Sequence, residues 1–187
     1  MASKGGIGSW LETLAQRLSG RGRGEGSGFP AEWPMVLHIP SLAGGSGDLA
    51  KGFSLPESYL REIVAHAREG KPNEVCGLIA GQEGQPVKLY RTTNSDPNPM
   101  VRYNVEPTEL LGILRELDER HWTLLAIYHS HPASEAYPSA TDTDLAFYPE
   151  ANYVIASLAQ EEPVVRAFRI IDRQVHELEL DVVQESR

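Results

Sequence analysis

The chain has 187 residues, 41% of them hydrophobic and 23% charged, with a formal net charge of −9 and a single cysteine. That length fits one ordinary domain with an appendage, and the composition excludes a wholly disordered or fibrous chain. No apolar run approaches the roughly 20 residues of a membrane-spanning helix, and the acidic balance argues against nucleic acid, whose phosphates call for a basic face.

Eleven of the 17 glycines fall within residues 1–50, including the run GRGRGEGSG from Gly20 to Gly28. Such stretches bury too little apolar surface to offset their chain entropy, so residues 1–50 read as a flexible Gly-rich extension. Within it, Ser9 and Glu12 form a capping-box pattern ahead of Trp10, Leu11, Leu14 and Leu18, a short amphipathic helix. Lys4, Arg17, Arg21 and Arg23 balance Glu12, Glu25, Glu32 and Asp48, so the whole negative charge belongs to residues 51–187. The first residues lack the apolar core of a secretory signal and Cys76 has no partner for an internal disulfide, which together predict a cytoplasmic protein.

A packed domain is expected over 51–182, with a short tail at 183–187. Ser54 and Glu57 suggest a capping box for a first helix carrying Leu60, Ile63, Val64 and Ala67, ended by Gly70 and Pro72. Val75–Ala80 reads as a buried strand and Val87–Thr92 as a second, followed by a turn-rich segment, Asn94–Pro99. Pro107 suits the first turn of a second helix bearing Leu110, Leu111, Leu114 and Leu117. Thr123–Tyr128, Tyr153–Leu158, Val164–Ile171 and Val175–Val182 read as further strands. The expected fold is α/β of the α+β kind, a mixed, mostly antiparallel sheet packed with two main helices.

The chemistry concentrates in His129-Ser130-His131-Pro132 and Pro138-Ser139-Ala140-Thr141-Asp142. Two histidines at i and i+2 on a strand point to one side of the sheet, within reach of a single metal ion. Catalytic zinc takes three N, O or S side-chain ligands and leaves a position for water, and Asp142 is a natural third ligand. Ser139 and Asp142 also fit a helix-capping pair, a local role that uses both side chains. His38, His66, His121 and His176 lack ligand spacing, and Cys76 in its apolar run reads as a buried small hydrophobe.

His-x-His, seven residues, Ser, two residues, Asp, with Glu74-Val75-Cys76-Gly77-Leu78-Ile79-Ala80-Gly81 upstream, resembles the JAMM/MPN+ zinc metalloproteases of the compact prokaryotic type. The likeness covers about residues 53–180. It implies an MPN/JAMM-like domain, related in fold to the cytidine deaminases, with zinc held by His129, His131 and Asp142. It implies Glu74 as general base on the attacking water and proton donor to the leaving amine, and Ser139 as donor to the oxyanion. The implied activity is cleavage after the C-terminal Gly-Gly of a ubiquitin-like or sulfur-carrier protein, with Pro99–Val105 a candidate clamp for the extended tail. A non-catalytic MPN scaffold and a RadC-like protein are the alternatives.

Overall fold

The computed structural model describes residues 52–184. The expected extension over 1–50 and its short helix lie outside the described residues, as does the tail beyond Gln184.

Strand β1 (Phe53–Pro56) leads directly into helix α1 (Glu57–Gly70). Strands β2 (Cys76–Gln82) and β3 (Gln85–Thr92) form a hairpin, and helix α2 (Pro107–Arg120) follows a long connection. Strand β4 (Thr123–His131), the five-residue helix α3 (Ala140–Asp144), and strands β5 (Asn152–Ser157), β6 (Val164–Ile171), β7 (Gln174–Leu178) and β8 (Leu180–Val183) complete the chain. Six strands make one sheet in the order β3-β2-β4-β5-β6-β7. Only β4 and β5 run parallel within it, so the sheet is mixed and mostly antiparallel. No helix among the described residues is long and apolar enough to cross a membrane.

Alternation along β4 decides where the site forms. Ala126 and Tyr128 point to the α1 side, into a cluster with Ile63 and Ala67 of α1, Leu55 of β1, and Ile79, Val154 and Ala167. Ile127, His129 and His131 therefore point to the opposite face. On the α1 side the Tyr128 hydroxyl lies 2.9 Å from His66 Nδ1. Across the strand pair its ring covers Gly77, where a Cβ would run into that ring and the Tyr90 carbonyl. Glycine is the residue that lets the ring lie flat on β2. Helix α2 packs against β4 and buries Leu110, Leu111, Ile113, Leu114 and Leu117.

Two local expectations are corrected. Ser54 does not cap α1: it lies in β1, paired in parallel with Asp181 of β8, and Pro56 takes the N-cap position without a side-chain cap. A proline fixed near the required φ starts the helix by geometry instead of by a hydroxyl. The alternating run Val175–Val182 is not one strand either. It breaks at Glu179, whose carbonyl accepts the Phe53 N–H at 2.7 Å, and the chain crosses from the large sheet to the β1–β8 pair. A Cβ on Gly52 would meet that same carbonyl at 2.7 Å, so the close approach depends on glycine.

Candidate metal centre and active site

His129 and His131 occupy the end of β4 and are both buried. Their Nε2 atoms approach to 3.1 Å. Asp142, in the first turn of α3, brings Oδ1 to 3.5 Å from His129 Nε2 and Oδ2 to 3.4 Å from His131 Nε2. One ligand atom from each of the three residues falls within 4.8 Å of the others. Tetrahedral zinc with bonds of about 2.0–2.1 Å separates its ligand atoms by roughly 3.3–3.4 Å, close to the spacings found here. Two imidazole nitrogens and a carboxylate oxygen facing one point form a donor set suited to a divalent ion.

The local chain holds each of these groups. His131 Nδ1 lies 2.7 Å from the Glu135 carbonyl. A carbonyl only accepts, so Nδ1 carries the proton and Nε2 presents its lone pair. That carbonyl is one of three in a row that are tied down. Ser157 Oγ donates to Ser134 O at 2.6 Å, and Arg166 Nη1 donates to Ala136 O at 3.3 Å. Strands β5, β4 and β6 thus each grip one residue of the short loop between His131 and Ser139. Asp142 is held by a reciprocal capping box: Ser139 N–H donates to Oδ2 at 2.7 Å, and Asp142 N–H donates to Ser139 Oγ at 3.1 Å. Oδ2 is thereby tied to the chain, while Oδ1 faces His129 Nε2.

Glu74 joins the group through strand register. Cys76 of β2 pairs with His129 of β4, and the Val75 and Ser130 main chains continue the pairing, with Ser130 N–H donating to Val75 O at 3.0 Å. Two residues before Cys76 and two after His129, Glu74 and His131 stand opposite each other on the same face. Glu74 is buried. Burial, opposed by His131 and reinforced by the negative charges of Asp142 and Asp96, pushes its carboxyl up to about 7. Asp142 behaves oppositely: burial would raise it, but its bonds to His129 and His131 hold it well below the usual carboxylate range. Burial lowers His129, whereas for His131 the Asp142 and Glu135 contacts outweigh burial and raise it. The same site thus shifts its two acids in opposite directions, Glu74 up and Asp142 down.

The segment between β3 and α2, from which a clamp for the substrate tail was expected over Pro99–Val105, braces Glu74 and His129 through residues not singled out in the sequence. Asn94 uses its whole amide: Nδ2 donates to the carbonyls of Glu74 (2.8 Å) and Arg102 (2.9 Å), while Oδ1 accepts from the N–H groups of Asp96 and Asn104 (both 3.0 Å). Glu74 N–H donates to Pro99 O at 2.7 Å, so both sides of the Glu74 peptide are fixed by this segment. Tyr103 stacks on the His129 ring, with centroids 4.4 Å apart. An Asx turn at Asn94, repeated at Asp96, was the available sequence signal. Cys76 is buried beside Thr92, and burial pushes its thiol up to about 11, so it is no nucleophile. His121 ends α2 in a left-handed conformation, away from any ligand role.

Residues 56–171 match the family described as prokaryotic homologs of the JAB domain. The CysO-cysteine peptidase of Mycobacterium tuberculosis is 39% identical over 126 residues, covering 66% of this chain and 86% of that protein. The desampylase of Haloferax volcanii is 37% identical over 110 residues, covering 56% of this chain and 79% of that protein. The solution structure of a Desulfitobacterium hafniense protein shares the fold with a TM-score of 0.63 at 36% identity, covering 71% of this chain and 93% of that one. The chain belongs to the prokaryotic JAMM/MPN family of metallopeptidases.

Proposed function

We propose that this chain is a zinc peptidase that cleaves the peptide or isopeptide bond following the C-terminal Gly-Gly of a ubiquitin-like or sulfur-carrier protein. The observation that carries the reading is the convergence of His129, His131 and Asp142 on one point, with Glu74 opposite His131. The names of the relatives, CysO-cysteine peptidase and desampylase, support a carrier-protein substrate.

Two imidazoles and a carboxylate are a catalytic zinc donor set that leaves a coordination position open. The ion supplies Lewis acidity toward the scissile carbonyl and the attacking water. The remaining work falls to the chain. Glu74 takes a proton from the water as its oxygen bonds to the carbonyl carbon, then delivers that proton to the amine as the C–N bond breaks. A neighbouring cation favours the carboxylate form that takes the proton, and burial of the side chain favours returning it. The Ser139 oxygen accepts from Asp142 N–H, which leaves its own O–H to donate to the carbonyl oxygen as negative charge develops. Met100 and Val101 in the connection before α2, and Leu145 and Phe147 just after α3, are exposed apolar side chains on segments next in sequence to the site, suited to a carrier protein.

The test is metal analysis of the full chain joined to cleavage of two carrier fusions. About one zinc per chain is expected, lost in a His129→Ala/His131→Ala double variant. A fusion with Gly-Gly before the scissile amide should be cleaved, and its Ala-Ala counterpart roughly 10²-fold more slowly, because a Cβ near the zinc misplaces the carbonyl. Zinc retained by the double variant would locate the metal elsewhere. Equal cleavage of both fusions would make the enzyme a general peptidase, and full occupancy without turnover would favour a scaffold or a RadC-like role.

A further inference from the structure

The two histidines of the metal centre are oriented by different means. A metal-ligating imidazole ordinarily donates its other N–H to a carboxylate, a carbonyl or water, which fixes both tautomer and ring plane. His131 follows that rule through Glu135 O. His129 does not: its Nδ1 is buried and has no hydrogen-bond partner among the described residues. None of those residues sets its ring plane through a bond to that nitrogen.

A flat ring stands alongside it instead. The Tyr103 ring lies 4.4 Å from the His129 ring, centroid to centroid, with only 21° between their planes. The His129–His131 pair, by contrast, is tilted by 57° at 4.9 Å. A near-parallel stack restrains rotation of the imidazole about its Cβ–Cγ bond, because turning the ring forfeits contact over the whole face. Tyr103 is itself anchored on both sides: Asn104 N–H donates to Asn94 Oδ1 and the Arg102 carbonyl accepts from Asn94 Nδ2. Asn94 holds the Glu74 carbonyl with the same side chain. Its four bonds place the stack and the candidate base in one frame.

We propose that Tyr103 is the positioning residue for His129, its stacked ring substituting for the hydrogen bond that His129 Nδ1 lacks, with Asn94 carrying Tyr103 into place. The role rests on the metal site proposed above, and it belongs to the ring and not to the hydroxyl.

The distinction between ring and hydroxyl makes the test. Zinc dissociation constants are measured by chelator competition on the full chain for wild type, Tyr103→Phe and Tyr103→Leu. Phenylalanine keeps the stack and should bind within about threefold of wild type. Leucine keeps apolar cover without a flat ring and should weaken binding by roughly 10–100-fold, the usual cost of removing a partner behind a metal ligand. Cobalt-substituted Tyr103→Leu protein should show an altered visible spectrum, and the phenylalanine variant an unchanged one. In a His129→Ala background the leucine change should weaken residual binding no further, whereas a general disturbance of the domain would weaken it again. Wild-type affinity in Tyr103→Leu, equal losses in both single variants, or an undiminished loss in the His129→Ala background would each overturn the role. A wild-type chain that binds no metal would overturn the metal site itself, and this role with it.

Discussion

Replacing Glu74 with glutamine should stabilise the metal-free protein while abolishing most of its activity. The side chain is buried, and its carboxyl is raised from 4.5 to about 7, burial being the largest cause. Between those values the folded state binds a proton that the unfolded chain has released, so stability falls as pH rises through this window. At about 1.4 kcal/mol per tenfold change in acidity, the ionised carboxylate costs the metal-free fold about 3 kcal/mol at pH 8 and about 1 kcal/mol at pH 5. Glutamine is nearly the same size and does not ionise. Chelator-treated Glu74→Gln should therefore gain about 3 kcal/mol over wild type at pH 8, roughly 10 °C in Tm, and much less at pH 5. Restoring zinc should shrink the gain, because a cation beside the carboxylate favours its charged form. Urea unfolding at both pH values, with and without chelator, measures all four cases. Turnover of the zinc-loaded variant should fall by roughly 10²–10⁴-fold. An equal gain at both pH values would refute ionisation as its cause, and no gain at pH 8 would mean that burial does not burden this carboxylate.

Three further outcomes follow from the same geometry. Apparent zinc affinity should fall as pH is lowered from 8 to 6, since the raised His131 and Glu74 hold protons that oppose the ion; a flat profile in chelator competition would contradict those shifts. Asn94→Asp keeps the acceptor for Asp96 and Asn104 but loses both donated bonds, so kcat should drop roughly 10²-fold through displacement of Glu74, and a kcat within threefold of wild type would show that the Glu74 carbonyl needs no anchor. Met100→Asp should raise KM for a folded carrier fusion roughly tenfold, as expected for loss of one buried apolar side chain, and leave a small Gly-Gly amide unaffected; equal effects on both substrates would remove Met100 from carrier recognition.

The histidine pair and the Ser139–Asp142 spacing were legible in the sequence because each rests on local periodicity: alternation along β4, and one helical turn after Pro138. The sheet and both longer helices were legible for the same reason. Glu74 was different. Its approach to His131 depends on a strand pairing that spans 55 residues of sequence, from Val75 to Ser130, and no local pattern encodes that register. Only the family likeness pointed to it. Asn94 lay in a segment that reads as ordinary turns and Tyr103 in the stretch expected to clamp a substrate tail; apart from the local Asx turn, the bonds to the Asn94 amide form only after the chain has folded back. The false Ser54 cap and the unbroken Val175–Val182 strand share a cause: β1 and β8 pair with each other, and that distant partnership overrides both local patterns.

The capping box joining Ser139 to Asp142 has a consequence for reading genetic data at this site. Each residue's side chain bonds the other's main chain, so the pair forms one closed ring of interactions at the start of α3. An alanine at position 139 removes the proposed oxyanion donor and also frees the backbone that aims Asp142, so its phenotype reports both losses at once. Single-residue scanning will therefore overstate what the serine hydroxyl contributes to chemistry, and the effects of the two positions will not add. Threonine at 139 preserves ring and hydroxyl together. Glycine preserves the helix start better than alanine while deleting the hydroxyl. Comparing these two substitutions separates the helix-starting duty of Ser139 from the catalytic one proposed for it, which no alanine variant can do.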